Sequence, residues 1–493
     1  MSSSVSSNGR NVSLAVMTTT IVFSILFGLV AAKANFLAIS MLVALFAGVF
    51  LLTRPTWIVW IILSMGLLLV GVAPLFDSAL ESKAGWPISI LCFILMLLAF
   101  FKTATTEYTQ KHTPAFIWLL LCFFAYAIFN SLVQWSSEEE FVGGFKRYFQ
   151  MWGISFALCW LAFDNRYIGD WRVFFLIVAL AQLPFAIYEL VALVPVRQAL
   201  SATIPGGLVA VDVIAGTFGA TIYGGGCSGE MATFLIIILA FLLAQRMEKV
   251  ITVGRFFLLT PWVLAPLFLG ETRVVIVMLP IMFIVLYRRE LLSRPHYGLM
   301  ALMVGVLLTV SLGYAYLSIT HMSLDKLFTD TLSYNLYETG YGTNYLNRTT
   351  VLTFWIEQQG AHDPLSFVFG NGLGSSHQQT RGHVDIRYPG YGIGLTAAST
   401  LLWDTGVFGF GLFVGIFALA WHTANRLYCQ STEPTVRADA IAIQASLSLL
   451  AFHLFYNLAL LEIITLQIVF SAVLGYLAWL YRKHAASIAW SRP

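Results

Sequence analysis

The sequence predicts an all-α polytopic membrane protein with about fourteen transmembrane helices and one large loop outside the cytoplasm. Composition supports this fold class, because 59% of the 493 residues are hydrophobic and only 10% are charged, whereas soluble domains carry roughly 25% charged residues. Apolar runs recur along the chain, and a polar stretch rich in glycine and tyrosine at 318–393 interrupts them. A water-soluble fold is therefore excluded.

The apolar runs are the predicted transmembrane helices, and together they form one membrane domain over residues 1–493. Each run extends over roughly 16 to 24 residues, which is long enough to cross a hydrocarbon core of about 30 Å. No small-residue cleavage site follows the first run, so we expect it to be a retained span. The predicted spans are 13–32, 36–53, 56–76, 86–101, 115–134, 148–163, 171–194, 229–246, 254–270, 272–288, 297–317, 404–423, 438–458 and 461–481.

The distribution of lysine and arginine predicts the orientation of these spans, because cytoplasmic loops are enriched in basic residues. When both termini are placed in the cytoplasm, about seventeen of the 27 basic residues fall in the shorter, inside segments. The outside segments hold acidic clusters such as Glu138–Glu140. The sequence therefore predicts an even number of spans with both termini inside.

Composition and motifs also limit the kinds of partner. The net charge is +3, and no basic helix with interleaved aromatic residues occurs, so we expect no nucleic-acid binding. The five cysteines are scattered without metal-ligand spacing. No H-E-x-x-H, paired D-x-D or G-x-x-x-x-G-K-[ST] motif is present, so nothing predicts a metal, a nucleotide or another cofactor. Membrane lipids and lipid-linked molecules are the expected partners.

Two outside segments, 195–228 and 318–393, are longer than ordinary connections, and connections of this length are usually either functional or disordered. Glycines in the first segment permit close approach of the backbone to a ligand, but they suit a plain loop equally well, and both interpretations stay open. The second segment is too apolar and aromatic for a disordered tail. Its sequence predicts an amphipathic or re-entrant helix around 344–360.

Outside arginines are the first group of candidate site residues, because the rigid guanidinium fork suits bidentate contact with phosphate oxygens. Arg273 lies beside Glu271 in a tight outside turn, where an interfacial arginine paired with that glutamate is the alternative interpretation. Arg147 could instead offset the acidic run that precedes it. The other outside arginines are Arg197, Arg348, Arg381 and Arg387.

Histidines of the large loop are the second group, because histidine is the usual general base for deprotonating a hydroxyl. His377 and His383 flank Arg381 and are the preferred candidates, although a single loop histidine is more often a solvated surface residue. The remaining loop histidines are His321 and His362, and the acidic alternatives for a base are Asp385, Glu357 and Glu338.

Three stretches follow one another in a defined order: GETRVVIVMLP, then RTTVLTFWIEQQGAHDPLSFVFGNGLGSS, then LLWDTGVFGFGLF. This order, over roughly residues 140–425, resembles the O-antigen ligase/polymerase superfamily of integral membrane glycosyltransferases of the GT-C type. Arg273 and Arg348 match the two arginines of the family pattern. The glycine turn of the family and the start of its following helix are matched by Gly370, Gly372, Gly374, Asp404, Gly406 and Gly409.

One departure from the family pattern affects the implied reaction. Many members place a His-Asn pair about eleven residues before the first helix glycine, and the ligases are thought to depend on that histidine. Counting back from Gly406 gives Leu395 and Thr396 instead. The resemblance therefore implies a polymerase rather than an O-antigen ligase that transfers glycan to the lipid A core, and a histidine base would have to be His383 or His377.

The resemblance implies a Wzy-type polymerase in the bacterial inner membrane, with the large loop in the periplasm as a catalytic lid. Such an enzyme transfers a growing glycan from undecaprenyl diphosphate, a polyprenyl diphosphate, to a lipid-linked repeat unit in exopolysaccharide, capsule or O-antigen synthesis. Arginines would stabilise the departing diphosphate without a metal, and tyrosines and Trp355 would stack on sugars. A chain-length regulator and a flippase are the implied protein partners.

Two hypotheses from other classes remain. A lipid-linked oligosaccharide flippase also suits fourteen helices with both ends inside, but transporters commonly bind substrate between repeated halves, and the sequence contains no paired half-repeats. A receptor or scaffold of an export complex would use the large loop as a docking surface. Substitution of Arg273 and Arg348 distinguishes an enzyme from both.

Overall fold

The computed structural model of the chain describes residues 51–73, 79–106, 112–201, 210–222, 226–270, 274–293, 346–360 and 362–490, with isolated positions between 296 and 325. The chain divides into Met1–Ile58, of which 51–58 are described, and Val59–Pro493, which contains every contact discussed below. The predicted span 13–32, residues 36–50 of the second span and most of 297–317 lie outside the described residues. The count of fourteen helices therefore stays a prediction.

All regular structure in the described part of the chain is helical. Helix α1 continues through a π-helical turn at Met65–Leu69, and α6 continues through another at Glu189–Leu193 into Val194–Ser201. The helices are α1 Pro55–Ser64, α2 Ala79–Ala104, α3 Ala115–Val133, α4 Glu138–Phe149, α5 Trp152–Trp160, α6 Asn165–Tyr188, α7 Ser228–Met247, α8 Val253–Leu269, α9 Val275–Ser293, α10 Thr350–Gln359, α11 Pro364–Phe369, α12 Ala397–Gln430, α13 Pro434–Tyr456, α14 Ala459–Glu462 and α15 Ile464–Trp490.

Within the described residues, eight helices are long and apolar enough to cross a membrane, as expected for a multi-pass membrane protein. Helix α8 is apolar but shorter. The predicted all-α membrane fold class is therefore confirmed at this level. The eight candidate spans are Pro55–Val72, Gly85–Ala104, Ala115–Val133, Asn165–Ser201, Ser228–Met247, Ala397–Gln430, Pro434–Tyr456 and Ile464–His484.

Helices α7, α13 and α15 form the centre of the bundle, because most of each lies buried, whereas the other spans are largely exposed. Helix α13 packs against α7, α9 and α12, and α15 packs against α5. Hydrogen bonds join Ser131 to Leu373, Ala397 to Asn457 and Asn457 to Glu230, so the ends of α3 and α13, the starts of α7 and α12 and the large loop lie together. We call this the loop end, which holds residues 133–138, 210–222, 226–228, 346–360, 362–397 and 456–464, and we call the opposite end the basic end.

Helix α12 begins at Ala397, so the predicted start at 404 is wrong. A capping box fixes the true start: Thr396 Oγ1 accepts from the N–H of Ser399 at 3.1 Å, and Ser399 Oγ accepts from the N–H of Thr396 at 3.1 Å. The small residues after this box are weakly apolar, and Asp404 is polar, so hydropathy alone places the start too late. The carboxylate of Asp404 instead lies inside the helix and is fully buried.

The predicted span 148–163 corresponds to α5, and its first two residues are the end of α4, from which a break at Gln150 and Met151 separates it. Helix α4 begins at Glu138 because the Ser137 hydroxyl accepts from the N–H of Glu140 at 3.2 Å. Three glutamates in its first turn and two basic residues in its last turn complement the helix dipole. The segment that hydropathy assigns to an outside loop is therefore an amphipathic helix at the loop end.

Part of the predicted loop 195–228 is also helical, because α6 and its extension reach Ser201. A buried carboxylate holds the described segment 210–222 against the helices at Ala215 and Gly216. Glu189 Oε2 accepts from the N–H of Ala215 at 2.9 Å and from that of Gly216 at 2.7 Å. Charge-assisted bonds of this kind fix an irregular segment that has few backbone partners of its own.

The large loop, described from 346 to 396 except for residue 361, contains two short helices and a glycine turn at residues 370–377. The prediction of a helix near 344–360 corresponds to α10, Thr350–Gln359. Asn347 Oδ1 accepts from the N–H groups of Thr349 at 3.0 Å and Thr350 at 2.7 Å, which satisfies donors at the start of this helix. Helix α10 and the chain around Ile393 pack on Trp403 of α12, so the loop has its own small core.

Candidate functional site

Asp404 anchors the glycine turn to the helix bundle. Its Oδ1 accepts from the Ser375 hydroxyl at 2.9 Å and from the N–H and hydroxyl of Ser376 at 3.0 and 2.8 Å. Its Oδ2 accepts from the N–H of Gly374 at 2.9 Å and from the Tyr148 hydroxyl at 3.1 Å. An ionised carboxylate accepts only, so every one of these donors stabilises the charged form in a buried position.

The turn enters the bundle rather than lying on top of it. Asp404 is the eighth residue of α12, which places it roughly 10 Å below the start of that helix at a rise of about 1.5 Å per residue. Gly406 (φ +66°) breaks the helix there, and a Cβ on it would lie 2.3 Å from the carbonyl oxygen of Val368. A Cβ on Gly370 would lie 2.4 Å from the carbonyl oxygen of Asp404. Two backbones approach each other here at a distance that only glycine permits.

One face of α4 carries the next part of the site. Glu140, Gly144 and Arg147 recur at helical spacing and share this face. The loop lies directly on it, because a Cβ on Gly144 would be 2.5 Å from the carbonyl carbon of Leu373. At one end of the face, Arg147 donates to the side chain of Gln379 at 3.3 Å. The segment from 373 to 383 is thereby fixed along α4.

His383 and Glu140 form a hydrogen-bonded pair at the other end of this face. The Nδ1 of His383 lies 2.8 Å from Glu140 Oε1, and the His383 backbone N–H donates to Oε2 at 3.0 Å. Glu140 is buried, at 4% exposure, whereas His383 is partly exposed. Because the carboxylate only accepts, Nδ1 carries the proton of the neutral ring and Nε2 presents its lone pair. A carboxylate-oriented imidazole of this kind is equipped to remove a proton.

His377 has a different arrangement. Its Nδ1 accepts from the N–H of Gln379 at 3.0 Å, so the proton of the neutral ring lies on Nε2, which is 2.5 Å from Glu462 Oε1. Arg147 donates to the same carboxylate oxygen. Burial raises the pKa of Glu462, and the positive charge of Arg147 opposes that change. Both ring nitrogens of His377 are occupied, which leaves no lone pair for proton removal in this arrangement.

Arg348 lies at the junction between the loop and α13. Its Nε donates to the carbonyl oxygen of Tyr456, and its guanidinium lies 4.5 Å from the centroid of the Tyr456 ring, a cation–π contact. The next residue, Asn457, donates to Glu230 Oε1 at 2.6 Å, and its Oδ1 lies 3.0 Å from His453 Nδ1. The end of α13 therefore contacts Arg348 of the large loop and Glu230 of α7.

We refer to six of these residues as the loop-end cluster: Glu140, Arg147, Arg348, His377, His383 and Glu462. Glu140 and Arg147 are seven residues apart on α4, or about 10 Å along its axis. The base-competent histidine and the arginine–glutamate pair are thus separated along one helix face. Among the described residues, no group of three or more His, Cys, Asp or Glu side chains could hold a metal ion.

Three other predicted residues lie elsewhere on the loop. Arg381 is exposed and has a left-handed backbone conformation (φ +49°). Arg387 is also exposed, and its charge acts on Asp363 rather than on the loop-end cluster. Asp385 is half-buried, and burial raises the pKa of its carboxyl group. The structure does not bring these three side chains to the cluster.

Trp355 lies in the small core of the loop, with only 4% of its surface exposed. Its ring stacks on Phe367 with centroids 4.5 Å apart, and its indole N–H donates to Gln359 at 3.0 Å. Neither ring face is open to a sugar, so the predicted stacking role is not supported by this position. The Nδ1 of His362 lies 3.1 Å from the carbonyl oxygen of Glu357. The predicted residues Glu271, Arg273, His321 and Glu338 lie outside the described residues.

Sequence reasoning missed Glu462 and the role of Glu140. Glu462 lies in the predicted span 461–481, where it is the single charged residue. An ionisable residue in an apolar span is by itself a reason to suspect a functional site, so this signal was available. Glu140 gave no such signal, because it is one of three adjacent glutamates and only the fold of α4 distinguishes it from Glu138 and Glu139.

Neither comparison with protein-family models nor comparison with curated proteins finds a match to this chain. Fold and site together define a multi-pass membrane protein with a cluster of histidine, arginine and glutamate side chains at one end of its helices.

Proposed function

We propose that the protein is a polysaccharide polymerase that transfers a growing glycan from a polyprenyl diphosphate to a lipid-linked repeat unit. The observation that carries this proposal is the His383–Glu140 pair, in which no described residue forms a hydrogen bond with His383 Nε2, on the same helix face as Arg147. A hydroxyl acceptor needs a base, and a diphosphate leaving group needs positive charge. The resemblance of the sequence to membrane glycosyltransferases supplies the substrate class.

In the proposed reaction, the acceptor hydroxyl oxygen forms a bond to the anomeric carbon of the donor glycan. The bond between that carbon and the diphosphate oxygen breaks, and polyprenyl diphosphate departs with the electron pair. His383 Nε2 takes the hydroxyl proton, and Glu140 stabilises the imidazolium that results. The proton later passes to water or to the departed diphosphate, so atoms and charge balance.

The arginines act on the leaving group in this proposal. Arg147 is partly exposed and has a single carboxylate partner, so phosphate oxygens can replace or share its contact with Glu462. Arg348 approaches from the loop and is held by Tyr456, which keeps its guanidinium oriented. A spacing of about 10 Å along α4 between the base and Arg147 suits a sugar attached to a diphosphate.

Orientation in the membrane is part of the proposal. The basic end of the bundle carries Arg246, Lys249, Arg426 and Arg437, as expected for a cytoplasmic surface. The loop end would then face the periplasm, where lipid-linked repeats are joined. Transfer to the lipid A core would use the same residues with another acceptor, whereas a flippase would require no base.

The sidedness of accumulated substrate tests the proposal in cells. We expect Arg348→Lys to shorten the product and to leave single lipid-linked repeats accessible to a glycosidase added from the periplasmic side. Arg387→Lys, in the same loop but exposed and away from the cluster, is the matched control and should leave chain length unchanged. Accumulation of repeats on the cytoplasmic side alone would indicate a flippase and would contradict the proposal.

A further inference from the structure

An apolar cavity of about 420 Å³ lies in the basic half of the bundle, at the opposite end from the loop-end cluster. Its volume falls within the range of about 300 to 1,000 Å³ that is typical of ligand pockets. Helices α5, α6, α7 and α15 form most of its wall. The apolar lining includes Ile154, Leu158, Phe234, Phe241 and Val469.

The cavity opens sideways through α6. Gly169 and Val173 are one helical turn apart, both line the cavity, and both are exposed. A Cβ added to Gly169 would meet no atom within 4 Å, so the space beside this lining residue is open. Helix α6 belongs to a largely exposed span, and the surroundings of such a span are acyl chains. An apolar opening on this face is therefore accessible to lipid from the bilayer.

Arg172 lines the same opening and supplies a polar contact. Its Nη2 donates to Asp439 Oδ1 at 2.8 Å, and Asp439 Oδ2 also accepts from the Tyr476 hydroxyl at 2.6 Å. The Arg172 side chain is 40% exposed. A guanidinium group has five N–H donors. Asp439 is the one hydrogen-bond acceptor that the described part of the chain offers to the Arg172 guanidinium. The remaining donors can therefore bind an anionic group at the rim of the cavity.

We propose that this cavity is a binding site for a glycerophospholipid of the surrounding bilayer, with one acyl chain in the cavity and the phosphate on Arg172. Three features define the ligand class: a predominantly apolar lining, an opening towards the acyl region, and an arginine with unused donors at the rim. A single arginine that is already paired with Asp439 suits a phosphodiester better than a diphosphate. The site is independent of the proposed reaction, because it lies at the other end of the bundle.

Photocrosslinking tests the site with the full-length protein in vesicles of phosphatidylethanolamine and phosphatidylglycerol. The probe is phosphatidylglycerol with a photoactivatable diazirine on one acyl chain. We expect adducts on cavity residues such as Leu158 and Phe241, located by peptide mass spectrometry. Gly169→Leu, which fills the opening, should lower these adducts about tenfold. Arg172→Gln should weaken probe binding by a similar factor, because it removes a charge-assisted hydrogen bond.

Gly254→Leu is the matched control, since Gly254 is also exposed near the start of a helix at the basic end and an added Cβ meets nothing there. It should leave the adducts unchanged. Equal labelling of the cavity in wild type and Gly169→Leu would overturn the proposal. So would competition by polyprenyl phosphate that is stronger than competition by unlabelled phosphatidylglycerol. Glycan transfer does not enter this readout, so the result is separable from the proposed function.

Discussion

The Nδ1 atom of His383 lies 2.8 Å from Oε1 of Glu140, and this contact joins the large loop to the first turn of α4. The backbone N–H of His383 donates to the other carboxylate oxygen. Two bonds to one buried carboxylate fix both the position and the tautomer of the imidazole. His377, six residues earlier, has both ring nitrogens occupied, so the two loop histidines have different roles.

Replacement of His383 by glutamine is expected to reduce the rate of glycan transfer by about 10² to 10⁴-fold, the usual contribution of a positioned general base. Glutamine keeps a polar side chain but has no basic nitrogen. The measurement is the initial rate of polymer formation by purified variants in the same detergent. His362→Gln, at an exposed histidine of the same loop, is the control and should retain the wild-type rate. Equal rates for His383→Gln and wild type would remove His383 from the mechanism.

Asp404 is expected to determine the stability of the site rather than its chemistry. Asp404→Ala leaves the donors of the glycine turn and the Tyr148 hydroxyl buried without an acceptor, at a cost of at least about 3 kcal/mol. Ser375→Ala removes one of these donors and should cost only about 1 kcal/mol. Thermal unfolding in detergent compares the two variants. A smaller loss of Tm for Asp404→Ala than for Ser375→Ala would contradict the anchoring role.

The break in α12 provides a matched pair of glycine substitutions. Gly406→Ala places a Cβ 2.3 Å from the carbonyl oxygen of Val368 and requires a positive φ, so we expect a clear fall in Tm. Gly411, on the same helix, has open space around its added Cβ. Gly411→Ala should be neutral or stabilise the protein by about 0.5 to 1 kcal/mol through helix propensity. Equal changes in Tm for the two variants would show that the break in α12 does not contribute to the stability of the fold.

Asp385 gives a pH-dependent prediction, because burial raises the pKa of its carboxyl group. A raised pKa in the folded state favours folding below the unfolded pKa of about 3.9, and this contribution is lost as the pH rises through the folded pKa. Asp385→Asn is neutral at every pH, so its Tm should exceed that of wild type at pH 7. The difference should shrink towards pH 4.

Asp363→Asn is the comparison for this measurement. Hydrogen bonds from Ser366 lower the pKa of the partly exposed Asp363 carboxyl group, so this variant should not gain stability at neutral pH. A Tm for Asp385→Asn that is below wild type at pH 7 would show that the Asp385 carboxylate has a stabilising partner.

Hydropathy and charge were sufficient for the class of fold, because a span of apolar residues has few structural alternatives. Hydropathy and charge did not predict helix α4, where aromatic residues flank Lys146 and Arg147. They also did not predict the start of α12, because a capping box sets that boundary. Such boundaries depend on hydrogen bonds between polar groups and partners that are distant in sequence. Asp404, for example, is buried inside a helix with hydrogen bonds from the glycine turn and from Tyr148.

The site was predictable in its residue types but not in its pairings. Chain order indicated that His377, His383, Arg147 and Arg348 belong to outside segments, yet it could not show which histidine keeps a free nitrogen. That difference depends on Glu140 and Glu462, which come from opposite parts of the sequence. Chain order also could not show that Trp355 packs inside the core of the loop.

The most direct test of the central claim is turnover of a defined polyprenyl-diphosphate oligosaccharide by the purified full-length protein. We predict that wild type forms a ladder of longer lipid-linked glycans and releases polyprenyl diphosphate in equal amounts, without added divalent ion. His383→Gln should form the ladder at least about 100-fold more slowly, and His362→Gln should match wild type. Absence of polymer with the wild-type protein, or a strict requirement for a divalent ion, would contradict the proposed mechanism.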